Sequence, residues 1–344
     1  MTTAYLTDKR FTEHDFPGHP EHAGRIEAVW QQLGASGLSE QLLHIAPTAA
    51  SDEQILAVHT LDHLRRLIAV AHGERTVRLD PDTYALPVSL DAARLAAGAV
   101  IGAVDALLSA QADNALAIVR PPGHHATAER AMGFCLLNNV AIAARHAQSV
   151  PGIEKVLILD YDVHHGNGTN DIFYADPSVY FISIHQSPFY PGTGALDETG
   201  SGAGRGYTLN IPLAGGHGDG SYRRLFDEVV RPAVERFDPD LMLISAGFDA
   251  HWVDPLAGTQ LTLGGYDHLA RECIGLAERL CDGRIVFVME GGYDLSALAN
   301  GWVNIARALL GQDEISDPYG EATSAMDERV IEPLIDKLRR VHGL

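Results

Sequence analysis

The chain has 344 residues, of which 46% are hydrophobic and 20% are charged, and its formal net charge is −20. This composition is typical of a globular protein and not of a disordered or fibrous one, and the negative charge argues against non-specific binding to nucleic acid, whose phosphates need Lys and Arg partners. The same charge would attract a cationic peptide or a polyamine, although many proteins carry an acidic surface for solubility alone.

The sequence also bears on the cellular location and on the state of the cysteines. It has no run of about 18 apolar residues, and residues 1–10 lack the pattern of a signal peptide. We therefore expect a cytoplasmic protein that neither crosses nor binds a membrane. Cys135, Cys273 and Cys281 are too few for a disulfide framework or a four-cysteine zinc site, and we expect free thiols.

Short apolar runs alternate with helical patterns along the chain. Their continuity is typical of strands buried on both faces of a parallel sheet. The predicted strands are Ala115–Val119, Val156–Leu159, Val179–Ile184, Leu241–Ser245 and Ile285–Met289. The predicted helices are Ser89–Ala110, Asn138–Gln148, Gly220–Phe237, Gly264–Leu280 and Leu295–Leu310. This alternation, without a linker or an internal repeat, predicts one domain over residues 1–344, a three-layer α/β/α sandwich around a mainly parallel sheet.

A polar segment follows each of the five predicted strands. These segments are residues 120–125, 160–167, 185–194, 247–249 and 290–293. Because ligands of such sheets bind beyond the carboxyl ends of the strands, we expect the five segments to converge on one rim.

The second of these segments carries a candidate metal site. Asp160, Asp162 and His164 alternate along an extended chain, so their side chains share one face. Asp249 can supply a further ligand from a neighbouring strand, and two carboxylates with one imidazole leave a position open for water, as a catalytic zinc site requires. Iron(II) or cobalt(II) would also suit this set. The alternative is a hydrogen-bond network that only fastens a loop.

Adjacent histidines in the first segment suit general acid–base work near neutral pH. We expect Asp160 to bind the far nitrogen of His124, and Asn167 that of His125. A carboxylate favours the imidazolium, whereas an amide leaves the ring closer to neutral, so the two rings should titrate differently. Loop histidines without a catalytic role are the alternative.

Tyr293 follows two glycines that permit a mobile loop. Such a loop could bring the phenol to a developing oxyanion, where one donor is worth roughly 3 kcal/mol. Without the other segments, a purely structural tyrosine would be the simpler interpretation.

Taken together, these residues give a chain that resembles the histone deacetylase-like amidohydrolases of the arginase/deacetylase superfamily. The matching segments are RPPGHHA at 120–126, GFCLLNNVAIAA at 133–144, DYDVHHGNGT at 160–169, PGTG at 191–194, GFDAH at 247–251 and EGGY at 290–293. Asn167 stands where class I members carry a carboxylate, so the chain looks closer to class II. Tyr293 is retained where weakly active class IIa enzymes carry histidine, and turnover is therefore expected.

The resemblance implies a fold and two ions. The fold would contain an eight-stranded parallel sheet. One catalytic zinc ion would be bound by Asp162, His164 and Asp249. A structural monovalent cation, potassium, would lie near Asp160, Asp162, His164, Ser183 and Ile184.

The resemblance also implies the roles of three residues around the zinc. His125 would be the general base and acid, and His124 its electrostatic helper. Tyr293 would donate a hydrogen bond to the oxyanion.

An acyl-lysine tunnel is a further implication. Its wall would include Gly133 and the aromatics Phe134 and Tyr190, whose alternative role is ordinary packing. Many relatives carry phenylalanine at the second aromatic position, so the Tyr190 hydroxyl leaves the acyl preference open. Leu256 stands where a polyamine-selective relative carries glutamate, and leucine cannot pair with an internal ammonium. Asp82 would either hold a peptide backbone or cap a turn.

The favoured function is zinc-dependent hydrolysis of acyl-lysine amides in proteins or peptides. The nearest alternative is the same reaction on an acetylpolyamine or another small acylated amine. A binuclear manganese ureohydrolase would need more bridging carboxylates than these segments supply. A non-catalytic acyl-lysine binder is disfavoured because every catalytic residue type is retained. The oligomeric state stays open.

Overall fold

A computed structural model describes residues 1–344 and contains two sheets. The ten strands in chain order are β1 (Thr3–Leu6), β2 (Leu43–Ile45), β3 (Val77–Arg78), β4 (Tyr84–Ala85), β5 (Asn114–Ala117), β6 (Val156–Asp160), β7 (Val179–Gln186), β8 (Thr208–Leu213), β9 (Leu241–Ala246) and β10 (Ile285–Met289). Eight of them form one sheet in the order β2-β1-β5-β10-β9-β6-β7-β8, and β3 pairs with β4. Every pairing in the large sheet is parallel, which confirms the predicted sheet.

Eleven α-helices flank the large sheet. They are α1 (Gly24–Ala35), α2 (Asp52–Leu56), α3 (Leu61–Ala71), α4 (Ser89–Leu108), α5 (Asn139–Gln148), α6 (Asn167–Phe173), α7 (Asp219–Leu225), α8 (Arg231–Phe237), α9 (Leu263–Leu280), α10 (Leu295–Leu309) and α11 (Glu332–His342). None of the helices is long and apolar enough to cross a membrane.

The helix predicted over Gly220–Phe237 is interrupted in the structure. A π-helical turn, Phe226–Val230, lies between α7 and α8. Pro232 sits at the start of α8. Proline has no N–H for the preceding turn and its ring crowds the carbonyl four residues earlier, which accounts for the irregular turn just before it.

Three strands of the large sheet have weak sequence signals. β1 and β2 are only four and three residues long. β8 contains Asn210 and Pro212, and it lies at the edge of the sheet. Proline is tolerated there because an edge strand has one unpaired side, but it masks the apolar pattern that identifies a strand.

The hydrophobic core explains the long apolar runs. It contains 99 buried residues from the sheet and from the helices on both faces. Every residue of β6, β9 and β10 is buried, as expected for central parallel strands. The predicted single domain is consistent with this continuous core and stays a prediction.

The strand order determines where the polar segments lie. The five predicted strands correspond to β5, β6, β7, β9 and β10, which are consecutive in the sheet as β5-β10-β9-β6-β7. Their carboxyl ends therefore face one side, and the segments that follow them lie next to one another.

Candidate active site

Three potential metal ligands converge beyond the ends of β6 and β9. Nδ1 of His164 lies 3.1 Å from Oδ1 of Asp162 and 3.1 Å from Oδ2 of Asp249. One ligand atom from each residue lies within 4.8 Å of the other two. Both carboxylates are fully buried. The structure thus brings together the three residues predicted to bind the metal.

The charge balance of this cluster favours a cation. Burial lowers the pKa of His164, but its hydrogen bonds with Asp162 and Asp249 outweigh burial and raise that pKa to about 10. Burial and the charge of Asp162 together raise the pKa of Asp249. Positive charge between the two carboxylates is therefore favourable, and a mixed oxygen and nitrogen donor set fits a zinc ion.

Backbone groups approach the two carboxylates closely. The N–H of Gly291 donates to Oδ2 of Asp162 at 2.8 Å, and that of Val163 donates to Oδ1 of Asp249 at 2.9 Å. A Cβ atom on Gly291 would lie 2.2 Å from Oδ2 of Asp249 and 2.5 Å from Oδ2 of Asp162. Residue 291 must therefore be glycine for these three segments to meet.

The two adjacent histidines form the hydrogen bonds expected from the sequence. Nδ1 of His124 lies 2.9 Å from Oδ2 of Asp160, and Nδ1 of His125 lies 2.8 Å from Oδ1 of Asn167. The centres of the two imidazole rings are 4.0 Å apart. An amide oxygen only accepts, so Nδ1 of His125 carries the proton and its Nε2 is free to accept one.

Their surroundings shift the two pKa values in opposite directions. Burial alone would lower the pKa of His124, but Asp160 and Asp162 raise it well above its ordinary value. Burial and the charge of His124 hold the pKa of His125 well below its ordinary value. This difference follows the direction that the sequence predicts.

Tyr293 reaches the same space from the loop after β10. Its backbone N–H donates to Oδ2 of Asp254 at 2.7 Å. Its ring meets Phe134 edge to face with centres 5.9 Å apart. Burial raises the pKa of the phenol well above its ordinary value, so Tyr293 stays a hydrogen-bond donor.

The side chains described above line a pocket with a volume of 230 Å³. Its lining includes both adjacent histidines, His164 and Tyr293. It also includes all five residues predicted to contact the substrate, namely Asp82, Gly133, Phe134, Tyr190 and Leu256.

Two of these five residues lie directly against His125. Gly133 has φ +56°, and a Cβ atom there would lie 2.3 Å from Cδ2 of His125, so only glycine permits this approach. The ring of Tyr190 meets the His125 ring edge to face with centres 5.2 Å apart. The Tyr190 hydroxyl is buried and has no hydrogen-bond partner.

Asp82 lies at the pocket with its backbone held in place. Its carbonyl oxygen is 2.9 Å from Nε2 of His19. Asp80 caps the turn that contains Asp82, because its Oδ1 accepts from the N–H groups of Asp82 and Thr83. Burial and the neighbouring Asp80 raise the pKa of the Asp82 carboxyl to about 6. Oδ1 of Asp82 also accepts from the hydroxyl of Thr83 at 3.0 Å, so the role of Asp82 in holding a peptide stays a prediction.

Comparison with known proteins places this geometry in a family. The histone deacetylase domain matches residues 19–309. The chain belongs to the histone deacetylase family. It is 39% identical over 349 residues to histone deacetylase 14, chloroplastic, of Arabidopsis thaliana, covering 96% of this chain and 82% of that one. It is 42% identical over 318 residues to a probable deacetylase of Archaeoglobus fulgidus, covering 91% and 88%.

A solved structure supports the same assignment at the level of the fold. The crystal structure of the HDA15 HD domain superposes with a TM-score of 0.90 at 36% identity, covering 99% of this chain and 94% of the other. The family resemblance predicted from the six segments is therefore confirmed. The cytoplasmic location stays a prediction, and the Arabidopsis relative is named as chloroplastic.

The spacing of three other side chains would also permit a second metal site. It consists of His124, Cys135 and Glu290. Oε2 of Glu290 already accepts from the N–H groups of Gly123 and His124, at 2.7 and 3.2 Å. Burial raises the pKa of the Cys135 thiol well above its ordinary value, so the thiolate that a metal needs is disfavoured. All three cysteines are buried and free, as predicted.

The residues expected at the monovalent cation lie together. Asp160 and Ser183 are directly opposite in the pairing of β6 with β7, and Ile184 is the next residue of β7. The N–H of Asp162 donates to Oδ1 of Asp160 at 3.1 Å. The potassium ion itself stays a prediction.

The sequence interpretation missed the residues that hold the tyrosine loop. Arg25, on α1, donates from Nε to the carbonyl of Gly292 at 2.7 Å and from Nη2 to that of Glu290 at 2.5 Å. Asp254 accepts from the N–H groups of Tyr293 and Asp294. Glu290 and Asp254 lie within or beside quoted segments, whereas nothing in the sequence around Arg25 indicates this contact.

Proposed function

We propose that this chain is a zinc-dependent deacetylase that hydrolyses the amide bond of N-acetyl-lysine side chains in proteins or peptides. Its membership of the histone deacetylase family supports deacetylase chemistry. The observation that carries the proposal is the convergence of Asp162, His164 and Asp249 at the pocket that His125 and Tyr293 line.

Zinc suits the three side chains by their chemistry. Two carboxylates and one imidazole leave a position open for water or substrate, as catalytic zinc sites do, although iron(II) or cobalt(II) would also fit. When bound there, zinc would polarise the acyl carbonyl and increase the acidity of a water molecule.

His125 is suited to move the proton. Its Nδ1–H is engaged by Asn167, and its low pKa leaves Nε2 unprotonated, so Nε2 can take a proton from the attacking water. The same nitrogen can then return that proton to the lysine nitrogen as the C–N bond breaks, which yields acetate and the free amine. His124, held charged by Asp160, would stabilise negative charge that develops beside it.

Tyr293 would stabilise the oxyanion. Its phenol stays protonated, and a donor placed at developing negative charge accelerates acyl transfer. Asp254 and Arg25 fix the backbone on which this side chain stands, and they act as positioning residues.

The pocket lining favours acyl-lysine over an acetylpolyamine. Phe134 and Tyr190 would lie along the aliphatic part of the lysine side chain. Leu256 offers no charge to an internal ammonium group of a polyamine. Asp82 would accept hydrogen bonds from the backbone of a peptide at the pocket.

We extend the proposal to one structural potassium ion. Asp160, Ser183 and Ile184 would supply oxygen atoms to this ion. Asp162 and His164 would lie near both the potassium ion and the zinc ion. Carboxylate, hydroxyl and carbonyl oxygen atoms are the ligands that a hard cation such as potassium takes.

A substrate panel separates the leading function from its alternative. Purified protein with quantified zinc is assayed on acetyl-lysine peptides, acetylspermidine and acetylputrescine. We expect kcat/KM to be about 100-fold higher for the peptides, which corresponds to about 2.7 kcal/mol of transition-state binding. A preference for either acetylpolyamine would replace the peptide function with the small-amine one.

A further inference from the structure

A larger cavity opens at the edge of the sheet opposite the active site. Its volume is 620 Å³. Lys155 lies directly before β6, Tyr180 is the second residue of β7, and Tyr207 lies directly before β8, so the cavity is at the amino ends of these strands. Phe237 at the end of α8 and His342 at the end of α11 complete its wall.

The charge of this cavity is opposite to that of the chain as a whole. The chain carries a net charge of −20, yet the cavity is lined by Lys155, Arg205 and Arg236 and by no acidic residue. None of the three cations has a carboxylate oxygen within 4.0 Å. The neighbouring Asp240 uses Oδ2 to accept from the N–H groups of Glu154 and Lys155, both at 2.8 Å. Lys155, Arg205 and Arg236 therefore form no ion pair within the protein.

Two residues of the cavity wall carry buried polar atoms without well-aligned hydrogen bonds. Tyr180 is only 2% exposed, and its hydroxyl forms no well-aligned hydrogen bond, although the Arg236 side chain lies beside it. His342 is 8% exposed and neither of its ring nitrogens has a hydrogen-bond partner. A buried polar group without a partner destabilises the folded protein. A ligand that forms hydrogen bonds with these groups would remove that destabilisation.

Two of the cations are held in place. Nζ of Lys155 donates to the carbonyl of Phe237 at 3.1 Å, and Nη1 of Arg236 donates to that of His342 at 3.0 Å. The Tyr180 and Phe237 rings pack edge to face with centres 5.4 Å apart beneath them. Groups fixed before binding lose less conformational entropy when a ligand arrives.

We propose that this cavity binds a small phosphorylated molecule. Lysine and arginine offer only donors, and the guanidinium fork matches two phosphate oxygens at once. The Tyr180 hydroxyl and a ring N–H of His342 would supply further donors to the same anion. The half-buried ring of Tyr207 gives a face for a planar group attached to the phosphate. The site is separate from the active site and does not depend on the deacetylase function.

Binding of inorganic pyrophosphate and of ADP to the full-length chain, measured by calorimetry at low salt, tests this proposal. We expect saturable binding with a Kd of about 1 mM or below. The Arg205→Gln variant should weaken it about 10-fold because it removes a charged donor. The charge-matched control is Arg66→Gln, an exposed arginine on α3, which should bind both probes like the wild type.

The Tyr180→Phe variant separates ligand binding from folding. The hydroxyl forms no well-aligned hydrogen bond in the free protein, so its removal should leave the thermal midpoint unchanged or raise it, while pyrophosphate binds about 10-fold more weakly. Tighter binding of ADP than of pyrophosphate, or equal binding of the two, would both support a phosphate site. Failure of either probe to saturate, or equal weakening by Arg66→Gln, would overturn it.

Discussion

The guanidinium of Arg25 lies over the ring of Tyr293, 5.0 Å from its centre, while its N–H groups donate to two carbonyls of the loop that carries this tyrosine. Arg25 is fully buried, and its Nη1 is 3.1 Å from Oε1 of Glu21. Arg25 thus connects the carboxylate of Glu21 to the loop that carries Tyr293, the proposed oxyanion donor.

The first prediction concerns this contact. Arg25→Lys keeps the positive charge but removes the guanidinium group, which donates to two carbonyl oxygens at once. We expect kcat to fall about 10-fold or more with a smaller change in KM, because misplacing a catalytic group impairs mainly the chemical step. Steady-state kinetics on an acetyl-lysine peptide measure this. An unchanged kcat would show that the loop needs no support from α1.

The second prediction isolates the phenol of Tyr293. Tyr293→Phe should retain zinc and lose roughly 100-fold or more in kcat, because it removes one oxyanion donor. Tyr174→Phe, at the end of α6, is the matched control and should keep full turnover. Wild-type activity in the Tyr293 variant would remove this residue from the mechanism.

The third prediction concerns the ligands of the metal. Asp162→Asn keeps the size of the side chain but removes one of two buried carboxylates, so zinc affinity should fall by at least about 10-fold. Elemental analysis after dialysis, with Asp171→Asn as a control outside the cluster, measures the loss. Equal zinc content in both variants would contradict the assignment of Asp162.

The fourth prediction is a pH dependence of stability outside the active site. Nδ1 of His59 lies 3.0 Å from the carbonyl of Thr127, and its Nε2 accepts from the N–H of Asn138 at 2.9 Å, so the folded state needs the neutral ring. Burial, aided by His63, lowers the pKa of His59 from 6.5 to about 3. Between these values the unfolded chain binds the extra proton, so the stability due to the neutral ring is present above pH 6.5 and lost as the pH falls towards 3.

Urea unfolding of the wild type and of His59→Gln measures this contribution. The wild type should lose about 2 kcal/mol more stability than the variant when the pH falls from about 7 to about 5. The same loss in both proteins would mean that His59 does not stay neutral in the fold.

Much of the fold was predictable because central parallel strands are buried on both faces. β6, β7, β9 and β10 appear in the sequence as continuous apolar runs. The pairings of His124 with Asp160 and of His125 with Asn167 follow from polar segments at the carboxyl ends of β5 and β6, which face the same rim of the sheet. The predicted strand Ala115–Val119 is shifted, since β5 ends at Ala117.

The remaining features depend on contacts between distant parts of the chain. Arg25 and the carbonyl of Gly292 are 267 residues apart, and no local pattern indicates that they meet. The edge strand β8 was missed because Asn210 and Pro212 interrupt its apolar pattern. Such positions are set by tertiary packing and not by local sequence preference.

The single-ion site is tested most directly by a zinc titration of chelator-treated protein, followed by acetate release from an acetyl-lysine peptide. We predict no turnover in the metal-free protein and full recovery at about one zinc ion per chain. Turnover that persists without metal, or that needs two manganese ions per chain, would contradict a single-ion site formed by Asp162, His164 and Asp249.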